Sequence, residues 1–273
     1  MAQHSSGARR APERREPQGP LEDLISSQEL SVLRGVASSP RLTEDLALLL
    51  LNRRDLPPPV LEDLSRNTAT MRHRKVIMAV VSHPRTPRHV TLPIARHLYT
   101  FELMQLALTP VVAADIKLAI EETLVSRLET ISAGERMSLA RRGSTRIAAA
   151  LLTDPETRVI EAALDNPYLT EIWVVKTVMR DGCPHPLVHA VCNHPKWSLR
   201  RDVQVALLRN PQTPLARAIV IAGALPVHVV RDVLYHSRLQ RNIKAYLTEQ
   251  LERRSASQKR TAKNASSPFE TNS

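Results

Sequence analysis

The densest set of metal-ligating groups is the run CPHPLVHAVCNH, which gathers Cys183, His185, His189, Cys192 and His194. Zinc accepts thiolate and imidazole ligands, and His189 and Cys192, three residues apart, would share one helix face. The spacing matches no familiar zinc pattern. The competing reading makes Cys192 a small core residue and sets His185 and His194 beside turn prolines, because free cysteine is among the most buried residue types. Trp197, three residues before Arg200, could stack on a nucleobase, although an indole opening an amphipathic helix also serves a core. No glycine-rich phosphate loop, G-x-S-x-G elbow or HExxH pair occurs. Neither enzymatic activity nor a cofactor is expected.

Charge is the other chemical signal. The formal net charge is +11, and it is clustered. The body up to Asp181 is balanced, whereas residues 182–244 carry Lys196, Arg200, Arg201, Arg209, Arg217, Arg231, Arg238, Arg241 and Lys244 against only Asp202 and Asp232. If successive helices place these in one stripe, they form the footprint expected for an acidic protein or a nucleic acid. If they point to several faces, they serve solubility. Few aromatics interleave with them, which favours contact with acidic protein or phosphate backbone over base stacking.

The elements that must position these groups follow from composition and punctuation. Of 273 residues, 42% are apolar and only 3% aromatic, with 7 glycines and 20 prolines, a mixture suited to many short helices started by proline. One phrase recurs: a small or polar residue, Pro, then Thr or Ser within three residues, then an apolar run. It reads SSPRLTEDLALLL, SHPRTPRHVTLPIA, DNPYLTEIWVVKTV, NHPKWSLRRDVQVAL and RNPQTPLARAIVIA. Proline ends the preceding helix, and the Thr or Ser is expected to cap the next. Apolar spacing between the phrases is helical, as in Leu199, Val203, Ala206 and Leu207, or Leu215, Ala218, Ile219 and Ala222. Leu239, Ile243, Tyr246, Leu247 and Leu251 predict a longer closing helix, and Ser132 with Glu135 a capping box. Pro40 and Pro84 lie 44 residues apart, as do Pro167 and Pro211, within the range of a helix-pair repeat. Helices this short must bury their stripes on neighbours.

Residues 150–181, ALLTDPETRVIEAALDNPYLTEIWVVKTVMRD, resemble the leucine-rich-variant repeat, in which a DP turn, an Arg-led helix, an NP turn and a second helix alternate. Residues 199–225 look like a second copy and 74–98 like a third; HEAT-like repeats are similar. The resemblance implies an all-α fold, a single α-solenoid of short helix pairs acting as a scaffold. One member of the variant family has an N-terminal cysteine cluster for iron and sulfur. This chain has only Cys183 and Cys192, so no such cofactor is carried over. Some alkylpurine glycosylases are HEAT-like solenoids with Trp residues and an Asp near the flipped base; Trp173, Trp197 and Asp202 are the residues such a site could recruit, without reproducing a motif.

The domain reading is a disordered basic tail over residues 1–20, one helical repeat domain over 21–254 and a disordered tail over 255–273. Residues 98–143 carry the repeat pattern least clearly, with Pro110 as their one internal proline. No apolar run approaches the roughly 20 residues that span a bilayer, no secretory signal opens the chain, and two cysteines suit a reducing compartment, so a cytoplasmic location is expected. The expected function is binding of another macromolecule, a protein first and nucleic acid as the alternative, through Arg200, Arg201, Arg209, Arg217, Arg231, Arg238, Arg241 and Lys244.

Overall fold

The computed structural model describes residues 19–265, with side chains up to Ser257. All regular structure among them is helical, and no helix among them is long and apolar enough to cross a membrane. The chain divides into two compact units, with the division between Ser126 and Arg127. The division falls inside the stretch that carries the repeat pattern least clearly.

The first unit holds α1 (Leu21–Ile25), α2 (Leu30–Ser38), α3 (Glu44–Leu51), α4 (Pro58–Arg66), α5 (Thr68–Met71), α6 (Arg74–Ser82), α7 (Arg88–Ala95), α8 (Thr100–Leu108) and α9 (Ala114–Arg127), which reaches the boundary. In it α2 packs on α4, α4 on α6 and α6 on α8. Leu33, Val36, Leu50, Leu61, Leu64 and Val80 belong to its core.

The second unit holds α10 (Ala133–Arg142), α11 (Thr145–Leu151), α12 (Thr157–Leu164), α13 (Glu171–Val178), α14 (His185–Asn193), α15 (Arg201–Arg209), α16 (Leu215–Ala224), α17 (Val227–His236) and α18 (Arg241–Ala265). Two interleaved series run through it: α10 packs on α12 and α12 on α14, while α11 packs on α13, α13 on α15 and α15 on α17. Helix α18 closes the unit against α16 and α17. It continues to Ala265, past the boundary predicted at residue 254, whereas residues 1–18 and 266–273 of the two predicted tails lie outside the described residues.

The turn phrase works differently from expectation. The residue before each proline, rather than the Thr or Ser after it, makes the recurring bond. Its side chain accepts the backbone N–H two residues on: Asp154 from Glu156 at 2.9 Å, Asn166 from Tyr168 at 2.7 Å, and Asn210 from Gln212 at 2.9 Å. His83 Nδ1 accepts likewise from Arg85 at 3.2 Å and His194 Nδ1 from Lys196 at 3.1 Å. The same side chains then reach about one helix pair back. Asn166 donates to the carbonyls of Ala140 and Gly143, Asn210 to that of Val178, and His83 Nε2 to that of Arg53 at 2.8 Å. In the first unit Asn67 donates to Ala37 and Ser39 in the same way. Helix ends leave carbonyls without intrahelical partners, and Asn and neutral His both offer an acceptor and a donor. Asn166, Asn210 and His83 each therefore close their own turn and satisfy an earlier one, whereas Asp154 accepts from Arg136 Nε at 2.8 Å and His194 Nε2 lies 3.1 Å from Asp165 Oδ1.

Thr43 does cap α3, accepting from Leu46. Thr86 and Thr213 instead donate back to Val80 and Leu207 at 2.6 Å each. The Ser132–Glu135 capping box forms in both directions. Of the two 44-residue proline intervals, Pro40 and Pro84 follow α2 and α6 of one packed series, whereas Pro167 follows α12 and Pro211 follows α15, which belong to different series.

Candidate binding groove

Three helices of the second unit share one buried pattern: Val174, Thr177 and Val178 on α13, Val203, Ala206 and Leu207 on α15, and Val230, Val233 and Leu234 on α17. This i, i+3, i+4 spacing turns each helix the same way toward the core. Two residues after the last buried position stand Arg180, Arg209 and His236, so one register puts a nitrogen-bearing side chain at the C-terminal end of each successive helix. All three line a single groove of about 430 Å³, together with Asp181, Gly182, Cys183, Asn210, Pro211, Gln212, Asp232 and Arg238.

The groove floor is closed by backbone and cap bonds. Asn210 Nδ2 donates to the Val178 carbonyl at 2.7 Å and the Arg238 amide to the Arg209 carbonyl at 3.2 Å. The chain reverses beyond α13 at Gly182, whose φ of 77° is a left-handed conformation that glycine adopts without strain. Arg238 pairs with Asp181, and both side chains are largely exposed, at 69% and 82%, so the pair contributes little to stability and opens at little cost. Arg209 is half-buried, and its Nε lies buried with no protein acceptor. His236 Nδ1 lies 3.1 Å from the Asp232 carbonyl of its own helix.

Electrostatically the groove combines three guanidiniums with the carboxylates of Asp181 and Asp232. Helix C-termini carry partial negative charge, which Arg209 in the last turn of α15 complements. An anion bound here must therefore be held by the guanidinium groups themselves, whose planar forks match carboxylates bidentately.

Of the eight basic residues predicted to form a stripe, only Arg209 and Arg238 line this groove. Arg200 precedes α15 and Arg201 opens it, Arg231 lies on α17 and Arg241 opens α18, all exposed. Arg217 bonds the Asn193 side chain, and Lys244 Nζ donates to the Tyr235 carbonyl at 3.3 Å. Arg180 and His236 were missed because charge was tallied along the sequence. The signal that finds them is their offset from the buried triplets.

The chemistry suggested for Trp197 is not available to it. The side chain is 2% exposed, and its indole N–H donates to the Leu164 carbonyl at 2.8 Å, so its face cannot meet a base. Asp202 is exposed on α15 and Trp173 half-buried beneath Lys176 on α13. Cys183 and Cys192 are both buried and free, and burial pushes each thiol up to about 11, away from the thiolate that a metal requires. His189 is exposed and stacks on His185 while its ring lies near Asn193, and no group of three or more His, Cys, Asp or Glu able to hold a metal comes together among the described residues. Leu199, assigned to the apolar stripe of its helix, is instead 77% exposed ahead of α15.

Comparison with protein-family models, curated proteins and solved structures finds no match in any of the three.

Proposed function

We propose that the chain is a non-enzymatic helical-repeat module, each unit a short α-solenoid, and that the groove of the second unit binds an acidic segment of another protein. The solenoid reading is supported by packing between elements two apart and by side chains that bond carbonyls about one helix pair earlier. Such contacts are what nearest-neighbour repeat stacking requires. The binding reading rests on one observation: the same register position on three successive helices carries Arg180, Arg209 and His236 around one groove, with Arg238 beside them.

Fluorescence anisotropy with labelled polyglutamate tests this. The double variant Arg209→Glu, Arg238→Glu is expected to bind at least about tenfold more weakly than the parent chain, a change of about 1.4 kcal/mol. Unchanged affinity would refute the reading.

A second reading, nucleic-acid binding, is favoured by the exposure of Arg200, Arg201, Arg231 and Arg241 outside the groove. Phosphate contacts are strongest at low salt. Duplex DNA bound there, and lost on neutralising these four arginines while the groove is intact, would establish it.

A further inference from the structure

We propose that Asp181 is a built-in competitor for the groove: its carboxylate occupies the Arg238 guanidinium, and an acidic segment binds by displacing it. This is a regulation of the acidic-segment site and rests on that reading. Each member of the pair is positioned by backbone bonds of its own. Asp181 stands in a four-residue turn beyond α13, closed by the Cys183 amide donating to the Arg180 carbonyl at 3.1 Å, with Gly182 at a φ of 77° supplying the reversal. Arg238 stands beyond α17, where its amide donates to the Arg209 carbonyl at 3.2 Å. The two residues are 57 apart in sequence, and their side chains meet in the groove that the end of α15 also lines.

The ion pair is not what holds the groove together. Both side chains are largely exposed, and such pairs contribute little to stability; the helices are joined by the packing of α13 on α15 and of α15 on α17. What the pair does is fill the guanidinium fork. A carboxylate is already among the strongest partners a guanidinium can have, so a ligand carboxylate gains at Arg238 only by exchange for Asp181. While Asp181 stays in place it also repels the incoming anion. An isolated carboxylate therefore gains little, whereas a run of them gains through Arg180 and Arg209 as well. Selection against weakly acidic ligands follows from this internal competition, the repulsive element that specific sites use beside attraction. Asp232, the other carboxylate of the groove, is engaged differently: it lies 3.8 Å from His236 Nδ1 on its own helix.

The test uses the full chain and anisotropy with labelled polyglutamate. Asp181→Asn is expected to bind about two- to fivefold more tightly than the parent, the range that an exposed ion pair can withhold. The circular dichroism spectrum and urea midpoint should stay nearly unchanged, because the position is exposed. In an Arg238→Gln background the gain from Asp181→Asn should disappear, since there is no guanidinium left to release. Asp232→Asn removes the same charge without freeing Arg238, so its effect should persist in that background. A gain from Asp181→Asn of equal size with and without Arg238 would reduce it to general charge and overturn the proposal. Weaker binding by Asp181→Asn would make the pair a strut and overturn it too. In either case the acidic-segment reading stands if the parent binds and the Arg209→Glu, Arg238→Glu double variant does not. If neither the parent nor Asp181→Asn binds, both fail.

Discussion

The residue before each turn proline bonds its own turn, and in three cases a turn or helix end of an earlier helix as well. Asn210 and Asn166 each accept one N–H locally and donate to a helix end 23 to 32 residues earlier, and His83 does the same with its two ring nitrogens. Removing such a group leaves a buried carbonyl unsatisfied, at about 1–3 kcal/mol. Asn210→Ala and His83→Ala should each lose about that much in urea unfolding, whereas His83→Asn, which keeps donor and acceptor, should lose about half or less. The two cysteines give a second prediction. Their thiols are held up to about 11 by burial, while in the unfolded chain they ionise near about 8.5. The unfolded state then binds fewer protons above that value, so stability is full below about pH 8.5 and declines as pH rises toward 11. Iodoacetamide at pH 8 should label both cysteines slowly in the native protein and rapidly in denaturant; rapid native labelling would contradict their burial. The polar-Pro phrase was legible in the sequence, but the task of its first residue was not, because its second partner is fixed only when helices two apart are packed. Trp197 was misread for the same reason, since the Leu164 carbonyl that claims its N–H lies 33 residues away.

At the scale of elements, helix identity and the closing helix were readable from apolar spacing, whereas the pairing of helices was not. Because helices of both series in the second unit end in similar proline turns, counting prolines does not distinguish α12 from α15, and the 44-residue interval from Pro167 to Pro211 crosses from one series to the other. Buried triplets such as Val203, Ala206 and Leu207 do distinguish the faces, and with them the register that brings Arg180, Arg209 and His236 to one groove. Two glycines check the packing of these elements. A Cβ on Gly143 would lie 2.5 Å from the Leu139 carbonyl oxygen and 2.9 Å from Ile147 Cγ2, so Gly143→Ala should cost about 1–3 kcal/mol through overpacking. Gly223, inside α16, has open space around its missing Cβ, and Gly223→Ala should stabilise by about 0.5–1 kcal/mol through helix propensity. Thermal unfolding of both variants decides this; equal shifts of the same sign would contradict the placement of one of them.

For the whole molecule, the basic residues of the second unit have different surroundings. Arg209 and Arg238 face a groove, Arg217 and Lys244 bond neighbouring helices and turns, and Arg200, Arg201, Arg231 and Arg241 are exposed elsewhere on the second unit. The binding function proposed above is thereby concentrated at the C-terminal ends of α13, α15 and α17. The most direct measurement is a ¹⁵N chemical-shift titration of the full chain with polyglutamate. Shifts confined to residues 179–183, 209–212 and 236–238 are the predicted result. Shifts centred instead on Arg200, Arg201, Arg231 and Arg241, with the groove amides unmoved, would contradict the assignment of the groove as the binding site.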